Sequence, residues 1–309
     1  MAGNEATLIN KTSAGISITS HGSDWYWTCF SVFGLFALIH ASIYLVFHKS
    51  SSQERRNKAV YHIGALASNS VLAFAYFTLA SNLGYAPVAV EFNHIDIGDD
   101  TRQVFYARYI GWFLAYPGLL YTFELNSLSQ NILSKSDYVQ LFQTLFLQVC
   151  STEVFVLGLL VGSVIHSSYK WGYWTFAVAS QLFLITIFFY HQFKTASKTS
   201  LITKLLVPLF SLCFILYPVC WGLSEGGNVI QPDSEGVFYG VLDLINFWLI
   251  PLALIYDSYK HGTVINEAHL PTRGDDVEKQ TSPELRASGE TEVGNQENPD
   301  EGALETQHA

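Results

Sequence analysis

The chain reads as an all-α membrane protein, a bundle of seven transmembrane helices with its N-terminus outside and its C-terminus in the cytoplasm. Three observations predict this. Half of the 309 residues are hydrophobic and only 14% are charged, outside the usual range of a soluble domain. Runs long enough to cross about 30 Å of hydrocarbon as helices occur seven times. Lysine and arginine crowd into alternate connections, the asymmetry that orients multi-span proteins.

Taken in order, residues 1–24 are polar and lack the basic-then-apolar pattern of a secretory leader. They form an N-terminal segment that the topology places outside. Asn10-Lys11-Thr12 spells a glycosylation sequon, and whether it is used stays open. The spans lie near Trp25–Phe47, Ala59–Ser81, Val104–Ser127, Tyr138–Ile165, Trp171–Phe193, Leu201–Leu223 and Gly236–Tyr259, so the helical domain covers 25–259. Connections after spans one, three and five hold Lys49, Arg55, Arg56, Lys58, Lys135, Lys194, Lys198 and Lys204, and Lys260 follows span seven. The other side has only Lys11, Arg102 and Lys170. The basic side is therefore assigned to the cytoplasm. In the longest outer connection, Asn82–Gln103, apolar alternation from Val88 to Ile97 followed by Asp99-Asp100 suggests a small β-hairpin over the bundle, with a plain polar loop as the alternative.

Residues 260–309 form an acidic tail. From Thr263 to Ala309 eleven Asp/Glu face three Lys/Arg, a net of −8 out of the chain's −10. Such a composition predicts disorder, and it makes the net charge a property of the tail, not of a site. Ser282-Pro283 offers a phosphorylation point there. Cys29, Cys150, Cys213 and Cys220 lie in apolar runs without disulfide or metal spacing and read as small buried hydrophobes. His40 and His166 have no second ligand at helical spacing, so they read as helix-packing or interface residues and no metal site is expected.

Four pieces of sequence then stand in a telling order. Span three carries Arg108-Tyr109-Ile110-Gly111-Trp112 with Pro117 five residues on. Span six carries Tyr217-Pro218-Val219-Cys220-Trp221, followed by Ser224-Glu225-Gly226-Gly227. Span seven carries Asp243 eight residues after Glu235, and Leu83-Gly84-Tyr85 follows span two. Over about 235 residues, Trp25–Tyr259, the chain resembles the microbial rhodopsins. A bundle of the G-protein-coupled receptor kind fits less well. The loops are short, no outer cysteine pair exists, and Arg108-Tyr109 sits at the outer end of its span.

The resemblance implies a retinal-binding lysine four residues after the helical aspartate, but Phe247 stands there. It implies a proton acceptor at Gly111 and a donor at Thr122, positions that share one helical face with Ala115. Phenylalanine has no amine, glycine cannot accept a proton, and threonine does not titrate usefully. Covalent retinal and family-type proton pumping are both excluded on that chemistry.

Around the vacant position, Trp112, Tyr217 and Trp221 keep aromatic walls, Phe214 replaces a common wall tryptophan, and Tyr116 adds bulk. Two readings stay open: a cavity for a noncovalent apolar ligand, or rings that pack and fill the space, with the second preferred. The charges left inside the spans are Arg108, Asp243, Glu124 and Glu153, and such residues default to functional hypotheses. Asp243, without a Schiff base beside it, must find another partner or be neutral, and the expected repair is a hydrogen-bonded contact with Arg108, with Tyr217 or water taking part. Glu124 and Glu153 are expected to bond to neighbouring helices. Glu225 and Glu235 read as ordinary loop charges once pumping is gone.

One branch combines these traits, the fungal opsin-related proteins that include small plasma-membrane heat-shock proteins. It also shares Glu91-Phe92-Asn93-His94 in the outer loop. That resemblance implies multi-pass residence in the plasma membrane, stress-linked expression, and restraint of the proton-exporting P-type ATPase or protection of other membrane proteins. Two function classes follow. One is a nonenzymatic regulator or chaperone-like partner; the other is a ligand sensor or passive proton conductor using the vacant cavity. Membrane lipids, such proteins or a second copy of the chain are the expected partners, and nothing points to nucleic acid.

Overall fold

The computed structural model describes residues 4–95, 100–130, 135–195 and 199–262. Within them run seven long helical rods: α1 (Ser20–His48), α2 (Gln53–Ala80), α3 (Tyr106–Gln130), α4 (Lys135–Ser163), α5 (Lys170–Phe193), α6 (Leu201–Gly226) and α7 (Pro232–His261). Consecutive rods pack side by side, and α7 closes the ring against α1 and α3. The acidic tail after Gly262, with Ser282, lies outside the described residues.

Six of the rods are long and apolar enough to cross a membrane; α3 is not among them. Its position explains why. Sixteen of its 25 residues are buried, so its polar groups meet other helices instead of lipid and need not be apolar.

Five rods begin one to six residues before hydropathy places them, because helix starts lie outside the apolar run, while α6 begins at Leu201 as placed and α3 two residues later. Thr19 caps α1 by accepting from His21 N, and its own N–H and hydroxyl donate to Asp233 at 2.8 and 2.5 Å. Ser200 caps α6 by accepting from Thr203 N at 3.2 Å, and Pro232 opens α7 where a missing N–H costs nothing. Further along, Pro218 and Pro251 each remove the bond that the carbonyl four residues earlier would accept. Neighbouring helices replace both bonds. Gln181 Nε2 donates to Phe214 O at 2.7 Å, and Asn69 Nδ2 donates to Phe247 O at 3.1 Å. A π-helical turn, Ile245–Leu249, takes up the local distortion around Phe247.

Between α2 and α3 the backbones approach closely over small residues. A Cβ on Gly111 would stand 2.7 Å from Ala75 Cβ, and one on Gly64 would stand 2.5 Å from Gly118 O. Ser68 Oγ donates across this seam to Ala115 O at 2.7 Å. Such contact is the usual source of helix association in a membrane, where burial of apolar area gives little.

The connection between α2 and α3 forms the expected hairpin. β1 (Ala86–Ala89) and β2 (Thr101–Val104) pair antiparallel with Ala86 opposite Val104. The strands flank most of the alternating segment instead of containing it, and residues 96–99, with Asp99, lie outside the described residues. Ile16 from the N-terminal segment adds a parallel bridge to Arg102. Asn10 is tied down beside it: its Nδ2 donates to Ser81 O and its carbonyl accepts from Asn82 Nδ2, both at 2.7 Å. Residues 4–19 are thus part of the folded unit. Cys29, Cys213 and Cys220 are buried as expected, but Cys150 is exposed on α4; an apolar run on an outer helix includes positions that face away from the bundle.

The α2–α3 seam generates one expectation. Gly111→Val should destabilise the bundle by about 1–3 kcal/mol, the usual cost of overpacking a tight site, with Gly111→Ala intermediate. Thermal unfolding of the three proteins in one detergent measures this; an unchanged midpoint for the valine variant would mean that the seam relaxes freely.

Candidate functional site

Three buried polar layers lie along the bundle axis, the second and third separated by apolar side chains. The first is at the hairpin end. β2 delivers Arg102 and the first turn of α3 delivers Arg108, while the end of α6 and the start of α7 deliver Glu225 and Glu235. All four are buried. Arg102 Nη2 lies 2.6 Å from Glu235 Oε2, Arg108 Nη1 holds Glu235 Oε1, and Arg108 Nη1 lies 3.4 Å from Glu225 Oε1. Tyr26 Oη accepts from Arg108 Nη2 at 2.9 Å, and the guanidinium lies 4.5 Å over the Tyr239 ring. Tyr109 donates to Glu225 Oε1 at 2.7 Å. Arg102 also donates to Asn228 Oδ1 and Ile230 O, both at 2.8 Å. Glu225 and Glu235 are therefore not ordinary loop charges. The helix ends that carry them fold inward under the hairpin, where two arginines balance them.

The second layer is Asp243, fully buried. Its Oδ1 accepts from Tyr217 Oη at 2.7 Å and Trp112 Nε1 at 2.9 Å, and its Oδ2 from Tyr76 Oη at 2.6 Å. The expected Arg108–Asp243 contact is not formed. Arg108 is occupied by Glu235, Glu225 and Tyr26, and the Asp243 oxygens are filled by three neutral donors. Below them the vacant lysine position is closed by rings. Tyr116 lies 5.0 Å from Phe247 and 5.3 Å from Phe214, centroid to centroid, Phe155 lies 4.7 Å from Phe214, and all four are 0% exposed. Trp221 turns toward α4 and α5 instead: Nε1 donates to Ser163 Oγ at 2.7 Å, and its ring meets Trp171 at 5.5 Å. Gly111 lies against α2 as described above, and Thr122 Oγ1 donates to its own helix at Gly118 O, 2.8 Å away.

At the opposite, basic end, Glu124 accepts from Gln148 Nε2 at 2.8 Å and lies 3.0 Å from His191 Nδ1. It bonds to its neighbours as expected. Glu153 does not: it is half-buried on α4, and its Oε2 has no hydrogen-bond partner among the described residues. The hub of this layer is a residue that sequence reasoning missed. Asp257, 0% exposed, accepts at Oδ2 from Ser200 Oγ (2.6 Å), Gln130 Nε2 (2.7 Å) and Thr203 Oγ1 (2.8 Å), and His261 Nδ1 lies 2.9 Å from Oδ1. The signal was available, since Asp257 follows Asp243 by fourteen residues, nearly four whole turns. Nearby, His40 Nδ1 and His62 Nδ1 lie 2.9 Å apart, and His62 Nε2 lies 2.5 Å from Tyr259 Oη. His40 packs as expected; His166 is exposed at the hairpin end. Among the described residues no group of three candidate ligands could hold a metal ion.

The model of the bacteriorhodopsin-like proteins matches residues 23–249, which includes all three layers but for Asp257 and its tail-end partners. The chain belongs to the bacteriorhodopsin-like family. Among its relatives, Protein MRH1 of Saccharomyces cerevisiae is 37% identical over 264 residues, covering 82% of this chain and 77% of that one. The 30 kDa heat shock protein of the same yeast is 35% identical and covers 98% of this chain and 96% of its own. The fold is that of the light-driven proton pump LR (Mac) from Leptosphaeria maculans, with a TM-score of 0.66 at 22% identity over 79% of this chain and 98% of the pump. Together with the apolar helices, this makes the chain a multi-pass membrane protein of microbial rhodopsin fold.

The geometry predicts which bacteriorhodopsin-type charges still act as pairs. Arg108→Gln and Glu235→Gln should each destabilise the protein, by up to about 3–5 kcal/mol for a broken buried pair and less where water relieves the orphan. Their double variant should deviate from additivity by about 0.5–3 kcal/mol, the coupling of groups in contact. Arg108→Gln with Asp243→Asn should deviate less, because no hydrogen bond joins the two side chains. Unfolding in one detergent reads both cycles, and additivity in the first would place Arg108 and Glu235 apart.

Proposed function

We propose that this chain is a non-photoactive opsin-related protein of the plasma membrane, with the hairpin end outside and the basic end in the cytoplasm. In this reading it works by contact, as a stress-linked regulator or chaperone-like partner of other membrane proteins such as the proton-exporting P-type ATPase. The observation that carries the reading is Phe247. Retinal held as a Schiff base needs an amine and an open channel, and the residues present do not fit it. Phe247 is fully buried, and the Tyr116 and Phe214 rings close on the space beside it. Asp243 has exchanged a cationic partner for three neutral donors. A site rebuilt as packed core does no light chemistry, which leaves the surfaces of the helices and the tail as the working parts. The 30 kDa heat shock protein, matched over nearly all of this chain, supports the link to stress.

A passive conductor is the weaker reading. Between Trp112 and Glu124 on α3, Tyr116, Leu119, Leu120 and Phe123 are all fully buried. Phe123 meets Phe188 and Phe210 at 4.9 and 5.4 Å, an apolar stretch between the second and third layers.

Two measurements test the proposal. Purified protein given all-trans retinal should form no visible pigment, and an absorption band that survives denaturant as a covalent adduct would overturn the loss of photochemistry. Plasma-membrane vesicles from stressed cells should show higher vanadate-sensitive, ATP-driven proton transport when this chain is deleted, with recovery on re-expression. Equal transport in both, with no P-type ATPase co-purifying, would refute the regulatory role.

A further inference from the structure

At the basic end, beside the histidine pair, a cleft of about 760 Å³ opens between the connection from α1 to α2 and the end of α7. Its lining has an unusual mixture of chemistry. Arg55 and Lys58 supply two cations, Ser50, Ser51 and Ser52 supply three hydroxyls, Glu54 supplies a carboxylate, and Tyr259 and Phe47 supply ring faces. Arg55 is exposed and has no ion-pair partner among the described residues. Lys58 Nζ lies 2.6 Å from Glu54 Oε1 and 5.7 Å over the Tyr259 ring. The serine loop is set in place from behind: Arg56 Nη1 donates to the carbonyls of Ser50 and Ser51 at 2.8 and 3.0 Å. Tyr259 is fixed through His62 Nε2, 2.5 Å from its hydroxyl.

Each part has a counterpart in one ligand class. Two cations without enough anions to satisfy them suit a phosphate. A carboxylate inside a basic cleft opposes anion binding, but it accepts well from vicinal hydroxyls, and serine hydroxyls both donate and accept. An aromatic wall suits the face of a carbon ring. A bare phosphate would leave most of the volume empty. The cleft also borders the apolar exterior of α1, where Leu45 and Val46 are 53% and 65% exposed, so a ligand seated here can keep acyl chains in the bilayer. We infer that this cleft binds the phosphorylated cyclitol headgroup of a phosphoinositide, with Arg55 and Lys58 on the phosphate and Glu54, the serines and Tyr259 on the ring. The proposed orientation decides only which leaflet supplies the lipid, because basic pockets on the cytoplasmic side face the anionic leaflet.

The test uses the full chain in phosphatidylcholine nanodiscs, which expose both faces and so give a result independent of orientation and of any partner. Short-chain phosphatidylinositol 4-phosphate is titrated in, and retained lipid is read by native mass spectrometry. Short-chain phosphatidylserine and inorganic phosphate serve as separate arms. Saturable binding of the phosphoinositide is expected, with phosphatidylserine at least fivefold weaker and phosphate not competing at equal concentration. Arg55→Gln and Lys58→Gln should weaken it about fivefold each and about thirtyfold together, following roughly 1 kcal/mol per basic residue near an anionic lipid. Lys204→Gln, an exposed cation at the same end but outside the cleft, should change nothing. Glu54→Gln separates the mechanisms. A cleft that senses only charge gains affinity from it, whereas a cleft that reads ring hydroxyls loses affinity. Equal binding of phosphatidylserine, displacement by phosphate, a matching loss in Lys204→Gln, or a gain in Glu54→Gln would each overturn the inference. Glu54, Arg55 and Lys204 are exposed and Lys58 is partly exposed, and unchanged thermal unfolding confirms that any loss is one of binding.

Discussion

In a bundle surrounded by hydrocarbon, a charge taken from water must find its counter-charge inside or the helix that carries it cannot stay in place. Arg108 sits under that constraint on the first turn of α3, and its solution organises one end of the molecule. Glu235 brings the start of α7 to it, Glu225 brings the end of α6, and Tyr26 brings α1. Arg102 then shares Glu235 and draws β2 of the hairpin down over the top. Two arginines and two carboxylates come out neutral, so the cluster can be dry. Through Arg102 the hairpin in turn holds Ile16 of the N-terminal segment, and four helices, a sheet and a terminus meet on one set of hydrogen bonds.

Asp243 shows the same constraint solved without a cation. Tyr76, Trp112 and Tyr217 come from three different helices, and each gives it a hydrogen bond. Neutral donors stabilise a buried carboxyl whether or not it is ionised, which a fixed positive charge would not do. Arg108 makes its hydrogen bonds to Glu235, Glu225 and Tyr26 at the hairpin end. Among the described residues no hydrogen bond joins the two layers, but rings do: Tyr26 packs against Tyr76, and Tyr239 packs against Trp112 and Tyr217.

Much of this was legible in the sequence. Seven spans, the hairpin and the ring-filled site at Phe247 all follow from hydropathy, turn chemistry and residue size, whereas the caps at Thr19 and Ser200 lie outside the apolar runs. What escaped depended on how helix ends fold back on one another. Glu225 and Glu235 sit beside loops in the sequence, and only the inward turn of α6 and α7 makes them interior. The Arg108–Asp243 contact failed for the same reason, because better partners waited nearer the end of the helix. Asp257 looked like a terminal residue of an apolar span, yet it gathers Ser200, Gln130 and Thr203 from two other helices. Its partners are neutral and scattered through the chain, a pattern without periodicity.

The clasp around Asn10 has a bearing on how the chain is handled while it is being made. The side-chain nitrogen that a glycan would occupy is the atom that donates to Ser81 O, and the adjacent carbonyl is held by Asn82. A glycosylated Asn10 would keep one Nδ2–H to donate, so a sugar and the folded N-terminal segment compete for the room around that nitrogen. Because Ser81 and Asn82 end α2, the clasp can close only after the second span has been synthesised and inserted. In the proposed orientation, a sugar added to Asn10 before α2 arrives would crowd the clasp, so the order of the two events sets how the N-terminal segment docks.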